Sequence, residues 1–145
     1  MSALYTMDVL RLATSLSDWP RLVDPHASAE KRSVVCGSRI AIDVAVDDQG
    51  RVVAFGQDVQ ACALGQASAA LLARHIIGRS ATEIEEARMQ LTGFLTGTKD
   101  SIGDWPGLDV LTSAQKYTAR HASIRLPFEA AAEAAARATG TAPSE

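Results

Sequence analysis

The sequence predicts an α+β domain in which a small antiparallel sheet, a hairpin plus a short third strand, packs against several α-helices. Three observations carry that reading. Ile40, Ile42, Val44 and Val46 alternate with Ala41, Asp43, Ala45 and Asp47 ahead of a turn signal, the period of a half-buried strand. An Ala- and Leu-rich stretch nearly free of charge runs from Ala61 to Ile77, as a buried helix would. No second strand–helix–strand unit follows, which argues against a parallel sheet.

The elements follow in order. Leu4, Met7, Leu10 and Ala13 or Thr14 recur at helical spacing, so an amphipathic helix is expected over Ala3 to Leu16, ending before Ser17-Asp18-Trp19-Pro20. Residues 17 to 31 hold two prolines and read as an irregular loop, and Arg32 to Val35 as the short third strand. Asp47-Asp48-Gln49-Gly50 is the hairpin turn, and Arg51 to Asp58, with Val52, Val53 and Phe55, is the return strand. Gly78 closes the buried helix. His75 lies near that helix's C-terminal end, where its positive form is expected to be favoured.

Ser80-Ala81-Thr82-Glu83 has the spacing of a capping box and opens a helix whose Ile84, Ala87, Leu91, Phe94 and Leu95 share one face. Residues 97 to 107 form a loop, and a short helical piece around Leu108 to Ser113 leads to a last helix over roughly Ala122 to Ala138. Pro127 lacks an N–H and is expected near the beginning of that helix, which places Ser123 close to its N-cap. Residues 1–139 read as one domain and 140–145 as a disordered tail.

Of the 145 residues, 47% are hydrophobic and 21% charged, with a net charge of −3, so an ordinary globular core is within reach. No basic stripe supports a nucleic-acid or anionic-membrane partner. The longest apolar stretch, Ala61 to Ala73, is interrupted by Gln66 and is too short to span a bilayer. The first residues lack a charged n-region followed by an apolar core, so a cytoplasmic protein is expected. In that compartment Cys36 and Cys62 are thiols or metal ligands rather than a stable disulfide.

The two cysteines lie on opposite sides of the hairpin, and the midpoint of 36 and 62 is 49, inside the turn. Residues equidistant from an antiparallel turn pair, so the thiols are expected to converge, with a bulge at Gly50 moving the register by one. Cys62 falls where a strand becomes a helix, near the positive end of a helix dipole that favours the thiolate. Gly37 gives backbone freedom beside Cys36. The competing reading takes Cys62 as a small apolar residue of a buried helix and Cys36 as an incidental loop thiol.

Three segments carry a resemblance. Cys36-Gly37-Ser38-Arg39-Ile40 precedes the hairpin, Cys62-Ala63-Leu64-Gly65-Gln66-Ala67-Ser68-Ala69 opens the small-residue helix, and Ala119-Arg120-His121-Ala122-Ser123-Ile124 leads into the last helix. In that order, over roughly residues 3 to 135, they resemble the iron–sulfur cluster assembly scaffolds of the NifU N-terminal domain/IscU/SufU type. The layout is most similar to SufU-type members, whose long connection matches Gly97 to Lys116. The resemblance implies Cys36 and Cys62 as ligands of iron or a [2Fe–2S] cluster, with zinc as the alternative. It implies a cysteine desulfurase as sulfur donor, apoprotein acceptors, and no catalytic turnover.

The departures are specific. The family's Asp after Cys-Gly is Ser38 here, its third Cys falls on Ser123, and the Leu-Pro-Pro-Val-Lys chaperone motif of IscU-type members is absent. Ser38 and Ser123 are degenerate positions, because neutral hydroxyls are poor metal ligands. His121, two positions before Ser123, offers an imidazole, against the reading of a surface or helix-start histidine. Two thiolates per chain fall short of four donors, so a symmetric dimer, His121 with an exogenous ligand, or an open transient site would complete the set. Cys36, in the more accessible loop, is the expected sulfur acceptor. A degenerate relative acting only as an interaction module is the remaining alternative, and a cysteine hydrolase finds no acid partner or oxyanion loop.

Overall fold

A hairpin organises the sheet in the computed structural model, which describes residues 6–15, 18–34 and 37–140. Strands β2 (Arg39–Val46) and β3 (Val52–Gln60) pair antiparallel, and β1 (Ala27–Arg32) pairs antiparallel with the other edge of β2, giving the order β1-β2-β3. Strand β1 occupies part of the expected loop and ends where the third strand was expected to begin. Only Ala29 of its six residues is buried, so it has no alternation to read. The turn residue Asp47 accepts from the backbone N–H groups of Gln49 and Arg51 at 2.9 and 3.0 Å.

The register contains one bulge. Ala45 faces Ala54 but Val46 faces Val52, leaving Val53 as the extra residue, 53% exposed. Beyond the bulge Arg39 faces Gln60. Carried two steps further, this frame puts residue 37, not 36, opposite Cys62. The bulge sits in β3 rather than at Gly50 and makes the one-residue shift.

Both faces of β2 are covered, which corrects the half-buried pattern. Ile40, Ile42 and Val44 enter the core, and on the opposite face Ala41 and Asp43 are also buried, Asp43 completely. The segment 18–22 lies over that second face. A Cβ on Gly56, the residue paired with Asp43, would come within 2.3 Å of the Pro20 carbonyl oxygen, so only glycine admits the crossing. Arg21 clamps Asp43 through Nε at 2.6 Å and Nη2 at 2.9 Å, while the Leu22 N–H donates at 3.0 Å and the Ser28 hydroxyl at 2.6 Å. Burial pushes the Asp43 carboxyl up, but these hydrogen bonds and the Arg21 charge outweigh it and hold it below the usual carboxylate value.

The helices stack on the first face. α4 (His121–Thr139) packs against β1 and β2 and touches α2 (Ala63–His75) and α3 (Ala81–Thr96) on its other sides. Six of its alanines, Ala130 to Ala132 and Ala134 to Ala136, are buried, and small side chains let neighbours approach all round. α2 is buried at nearly every residue from Leu64 to Ala73. α3 has the expected capping box, with Ser80 and Glu83 each serving the other's backbone N–H, and it buries Ile84, Leu91, Phe94 and Leu95. Two 3-10 segments, Leu108–Lys116 and Thr118–Arg120, lead into α4.

Three helix readings are corrected. In α1 (Met7–Ala13), which packs on α2, Val9 and Leu12 face the core while Met7 and Leu10 are 62% and 42% exposed. That segment carries two apolar stripes at i, i+3 spacing, and only packing selects between them. Pro127 sits seven residues into α4 rather than near its start, so Ser123 is the third helical residue and Arg120 the N-cap. His75 has its pKa lowered, by burial first and then by the charges of Arg79 and Arg74, so its positive form is disfavoured. The proposed tail over 140–145 falls almost wholly outside the described residues.

Candidate functional site

Three elements meet at Cys62. It is the N-cap of α2, with extended backbone (φ −67°, ψ 171°), and its side chain caps none of the helix's first N–H groups, so the sulfur is turned elsewhere. It is turned toward Ser123 in the first turn of α4, with Sγ 3.5 Å from the Ser123 oxygen. Ser123 Oγ is 2.8 Å from the Oγ of Ser38, the residue just before β2. Ser38 and Ser123 are buried, 5% and 2% exposed, and Cys62 is half-buried.

Local features hold α2 and α4 at this distance. A Cβ on Gly65 would fall 2.7 Å from Ser123 Oγ and 3.1 Å from its carbonyl oxygen, so a side chain there would drive α4 away from Cys62. Pro127 lacks the N–H that would bond the Ser123 carbonyl in a regular helix. One residue on, the Ile124 carbonyl accepts from the Ser68 hydroxyl of α2 at 2.7 Å. Gly65 and Ser68 are three apart on one face of α2 and read in the sequence only as small residues of a buried helix. Their spacing was the available signal.

Of the residues expected at the site, the structure brings Cys62, Ser123 and Ser38 together. Cys36 lies outside the described residues, although Ser33 and Gly37 in its loop are joined by a Gly37 N–H to Ser33 carbonyl bond of 2.9 Å. His121 is the first residue of α4 and is buried. Its Nε2 is 2.8 Å from the Gln115 carbonyl and 3.1 Å from that of Ala114. Carbonyls only accept, so Nε2 carries the proton, and Nδ1 is the atom left to act as a ligand. The ring ties the start of α4 to the preceding 3-10 segment.

The donors of the described residues decide whether they form a metal site. Among them no three or more His, Cys, Asp or Glu side chains gather where they could hold an ion. Thiolates about 2.3 Å from a tetrahedral metal stand about 3.8 Å apart, close to the 3.5 Å between Cys62 Sγ and Ser123 Oγ. The spacing therefore suits one edge of a coordination tetrahedron, but its second corner is a hydroxyl. That hydroxyl is engaged with Ser38 at 2.8 Å, an ordinary hydrogen-bond length. One thiol and two mutually bonded hydroxyls do not fit a four-donor centre by themselves. Among the described residues no helix is long and apolar enough to cross a membrane.

No family model and no curated protein matches the sequence. Solved structures do match. An N-terminal nitrogen-fixing NifU-like protein from Brucella abortus superposes with a TM-score of 0.87 and 32% identity, covering 97% of each chain. An iron–sulfur cluster assembly scaffold protein described for the SUF system of Fervidobacterium islandicum AW-1 superposes with a TM-score of 0.80 over 91% of this chain and 96% of its own. At 18% identity that second likeness speaks for the fold alone. The sheet order, the cysteine at the head of α2 and the near-complete overlap at 32% identity converge on one conclusion: this chain belongs to the NifU N-terminal/IscU/SufU-like scaffold family.

Proposed function

We propose that the chain is an iron–sulfur cluster assembly scaffold-like carrier, without catalytic turnover, that holds iron or a [2Fe–2S] cluster in transit and accepts sulfur through Cys36 and Cys62. The observation that carries this reading is the convergence of α2, α4 and the residue before β2 on the Cys62 sulfur, 3.5 Å from Ser123 Oγ. Membership of the scaffold family supports the class of cargo. The partners are then a cysteine desulfurase, apoproteins that take the cargo, and a second copy of this chain, in the cytoplasm.

Sulfur transfer needs no added oxidant. The Cys36 thiolate attacks the outer sulfur of a desulfurase persulfide, a new S–S bond forms at Cys36, and the donor cysteine leaves as a thiolate. Cluster binding needs more than the chain offers. Cys36 and Cys62 supply two of four donors, and a second copy, or His121 Nδ1 with an exogenous thiol, supplies the rest.

Two other readings have an observation each. The near-tetrahedral edge at Cys62 favours a single zinc ion in a sulfur acceptor that docks on the desulfurase. The closed Ser38–Ser123 bond favours a degenerate interaction module.

Iron, sulfide and zinc per chain after anaerobic purification separate all three, measured for the native protein and for Cys36→Ser/Cys62→Ser. Iron and sulfide that vanish in the double variant are expected. Zinc in their place assigns the acceptor role. No metal, together with failed reconstitution by iron and sulfide, overturns the carrier reading.

A further inference from the structure

A cleft lies between α3 and the loop that follows it, away from the cysteine. Cys62 heads α2, whereas Arg79 stands past its other end, with Nε donating to the His75 carbonyl at 3.0 Å. The two therefore sit at opposite ends of a helix of 13 residues, about 20 Å long. The cleft has a volume of about 370 Å³ and extends from Arg79 and Glu83 along Glu86 and Gln90 of α3 to Asp104 and Trp105. Its walls are fixed. The Gln90 side chain donates to the Ser101 carbonyl at 2.6 Å and the Trp105 indole to the Leu71 carbonyl at 2.9 Å. The Arg79 guanidinium lies over the Trp105 ring, 4.8 Å from its centre.

Two features of this surface find no partner within the chain. The first is charge. Glu83 is engaged by Arg51 at 2.8 Å and Arg79 by Trp105, but Glu86 and Asp104 make no hydrogen bond or ion pair among the described residues. The second is apolar. Met89 lies three residues from Glu86 on the same face of α3, and Ile77 two residues before Arg79. Val53 adjoins Val52, whose N–H donates to the Arg79 carbonyl at 3.0 Å. Met89, Ile77 and Val53 are each at least half exposed, so apolar side chains edge an acidic cleft, as they do where proteins meet.

Charge narrows the occupant. Two unspent carboxylates repel nucleic acid and anionic lipid. Among the described residues no three acidic, His or Cys side chains gather to hold an ion. A second copy brings the same net charge of −3, which opposes its approach. We propose that this cleft docks a basic, amphipathic helical segment of a partner protein. Its lysine or arginine side chains meet Glu86 and Asp104, and its apolar stripe covers Met89, Ile77 and Val53. The inference goes beyond the carrier reading and does not rest on it. A partner held at this end of α2 leaves the Cys62 end uncovered.

The probe is a dye-labelled peptide of about four helical turns, lysines on one face and leucines on the other, with a glutamate-for-lysine counterpart. Fluorescence anisotropy with the full chain at low salt measures its affinity. The native chain is expected to bind the lysine peptide and not the glutamate one, and to bind more weakly as salt rises. Glu86→Gln/Asp104→Asn should weaken binding about three- to tenfold, and Ile77→Ser/Met89→Ser by about as much. Asp18→Asn/Asp24→Asn removes the same charge beside the other face of the sheet and should change affinity by less than about twofold. All six side chains are exposed, so the variants should keep their fold, which far-UV circular dichroism checks. If the apolar pair misfolds, the charge pair decides.

No binding by the native chain, equal binding of the two peptides, unchanged affinity in the charge pair, or an equal loss in Asp18→Asn/Asp24→Asn overturns the proposal. So does a dimer of the native chain in sedimentation equilibrium that Glu86→Gln/Asp104→Asn dissolves, which gives the cleft to a second copy. Iron, sulfide and the cysteines play no part in this assay. Its failure is therefore distinct from a failure of the carrier reading, which shows in metal and sulfide content.

Discussion

Two of the polar clusters among the described residues, at Asp43 and at Cys62, are built on opposite principles. The Asp43 cluster is charged and closed, with a carboxylate at the sheet face receiving Arg21, Ser28 and the Leu22 N–H at 2.6 to 3.0 Å. The Cys62 cluster has no carboxylate or cation and is partly open, with two buried hydroxyls and a half-buried thiol at 2.8 and 3.5 Å. In the first, every lone pair has a fixed donor, so the groups can do nothing but hold segment 18–22 onto β2 and β3. In the second, the Ser38–Ser123 bond can run either way, and Cys62 is only half-buried. Charge satisfaction makes a clamp, whereas a hydroxyl pair beside a half-buried thiol is not locked in the same way.

The largest effect is expected where the comparison is broken from the structural side. Asp43→Ala strands the Ser28 hydroxyl and the Leu22 N–H and frees Arg21 to solvent. A loss of about 3 kcal/mol is expected, or a fall of about 10 °C in the thermal midpoint. Arg21 is 48% exposed, so most of that loss comes from the unpaired, partly buried Ser28 hydroxyl and Leu22 N–H rather than from the ion pair. Thermal unfolding followed by circular dichroism measures it, and zinc binding by the folded variant should match that of the native chain. If zinc binding changes, the two clusters are coupled and the contrast fails.

A smaller change in stability, with a larger change in chemistry, is expected when the second cluster is given a sulfur. Ser123→Cys places a larger atom against Gly65, and overpacking there should cost about 1 kcal/mol. It also turns the tetrahedral edge at Cys62 into two thiolates. Zinc affinity should rise by about tenfold or more over the native chain, a factor typical of altering the shell around a metal. Equilibrium competition with a chromophoric chelator measures it. Unchanged zinc binding would mean that the geometry at 123 is unsuited to a ligand of any kind, and that the hydroxyl is there for packing.

Much of this architecture could be read from residue order, and the failures share a cause. The strand signalled by Ile40 to Val46, the capping box at Ser80 and the strand-to-helix step at Cys62 are local patterns, and the structure has the strand, the box and the step, though both faces of the strand are covered. Asp43 read as solvent-facing because nothing local announces that segment 18–22 folds back over it. β1 carries no strand pattern of its own because its partner, β2, supplies the apolar residues that an isolated strand would need. A proline four residues on usually marks a helix start, so Ser123 reads as a cap. Here Ser68 of α2 takes up the neighbouring Ile124 carbonyl and the helix extends further back. The Ser38–Ser123 bond spans 85 positions in sequence, and no spacing rule reaches that far.

The smallest effect belongs to a half-buried group, His75, which sharpens the comparison because it lacks what Asp43 has. For Asp43, burial opposes the charge but Arg21, Ser28 and Leu22 overcome it, whereas for His75 burial and the cations Arg79 and Arg74 all act against the charged form. The two groups therefore destabilise the protein in different pH windows. An unfolded chain takes up a proton on His75 near its ordinary value of 6.5, and the folded protein resists until lower pH, so stability should fall as pH drops from about 7 to 5. Asp43 contributes stability above its ordinary value of 3.8, and that contribution is lost only as pH falls further, through its lowered folded value. His75→Gln should flatten the upper window by less than about 1 kcal/mol, since the side chain is only half-buried, and leave the acid limb untouched. Urea denaturation at about pH 7, 6 and 5 tests it. A variant with the native slope across that range would mean that the arginines move away when His75 is protonated, and that only the Asp43 clamp sets the acid limit.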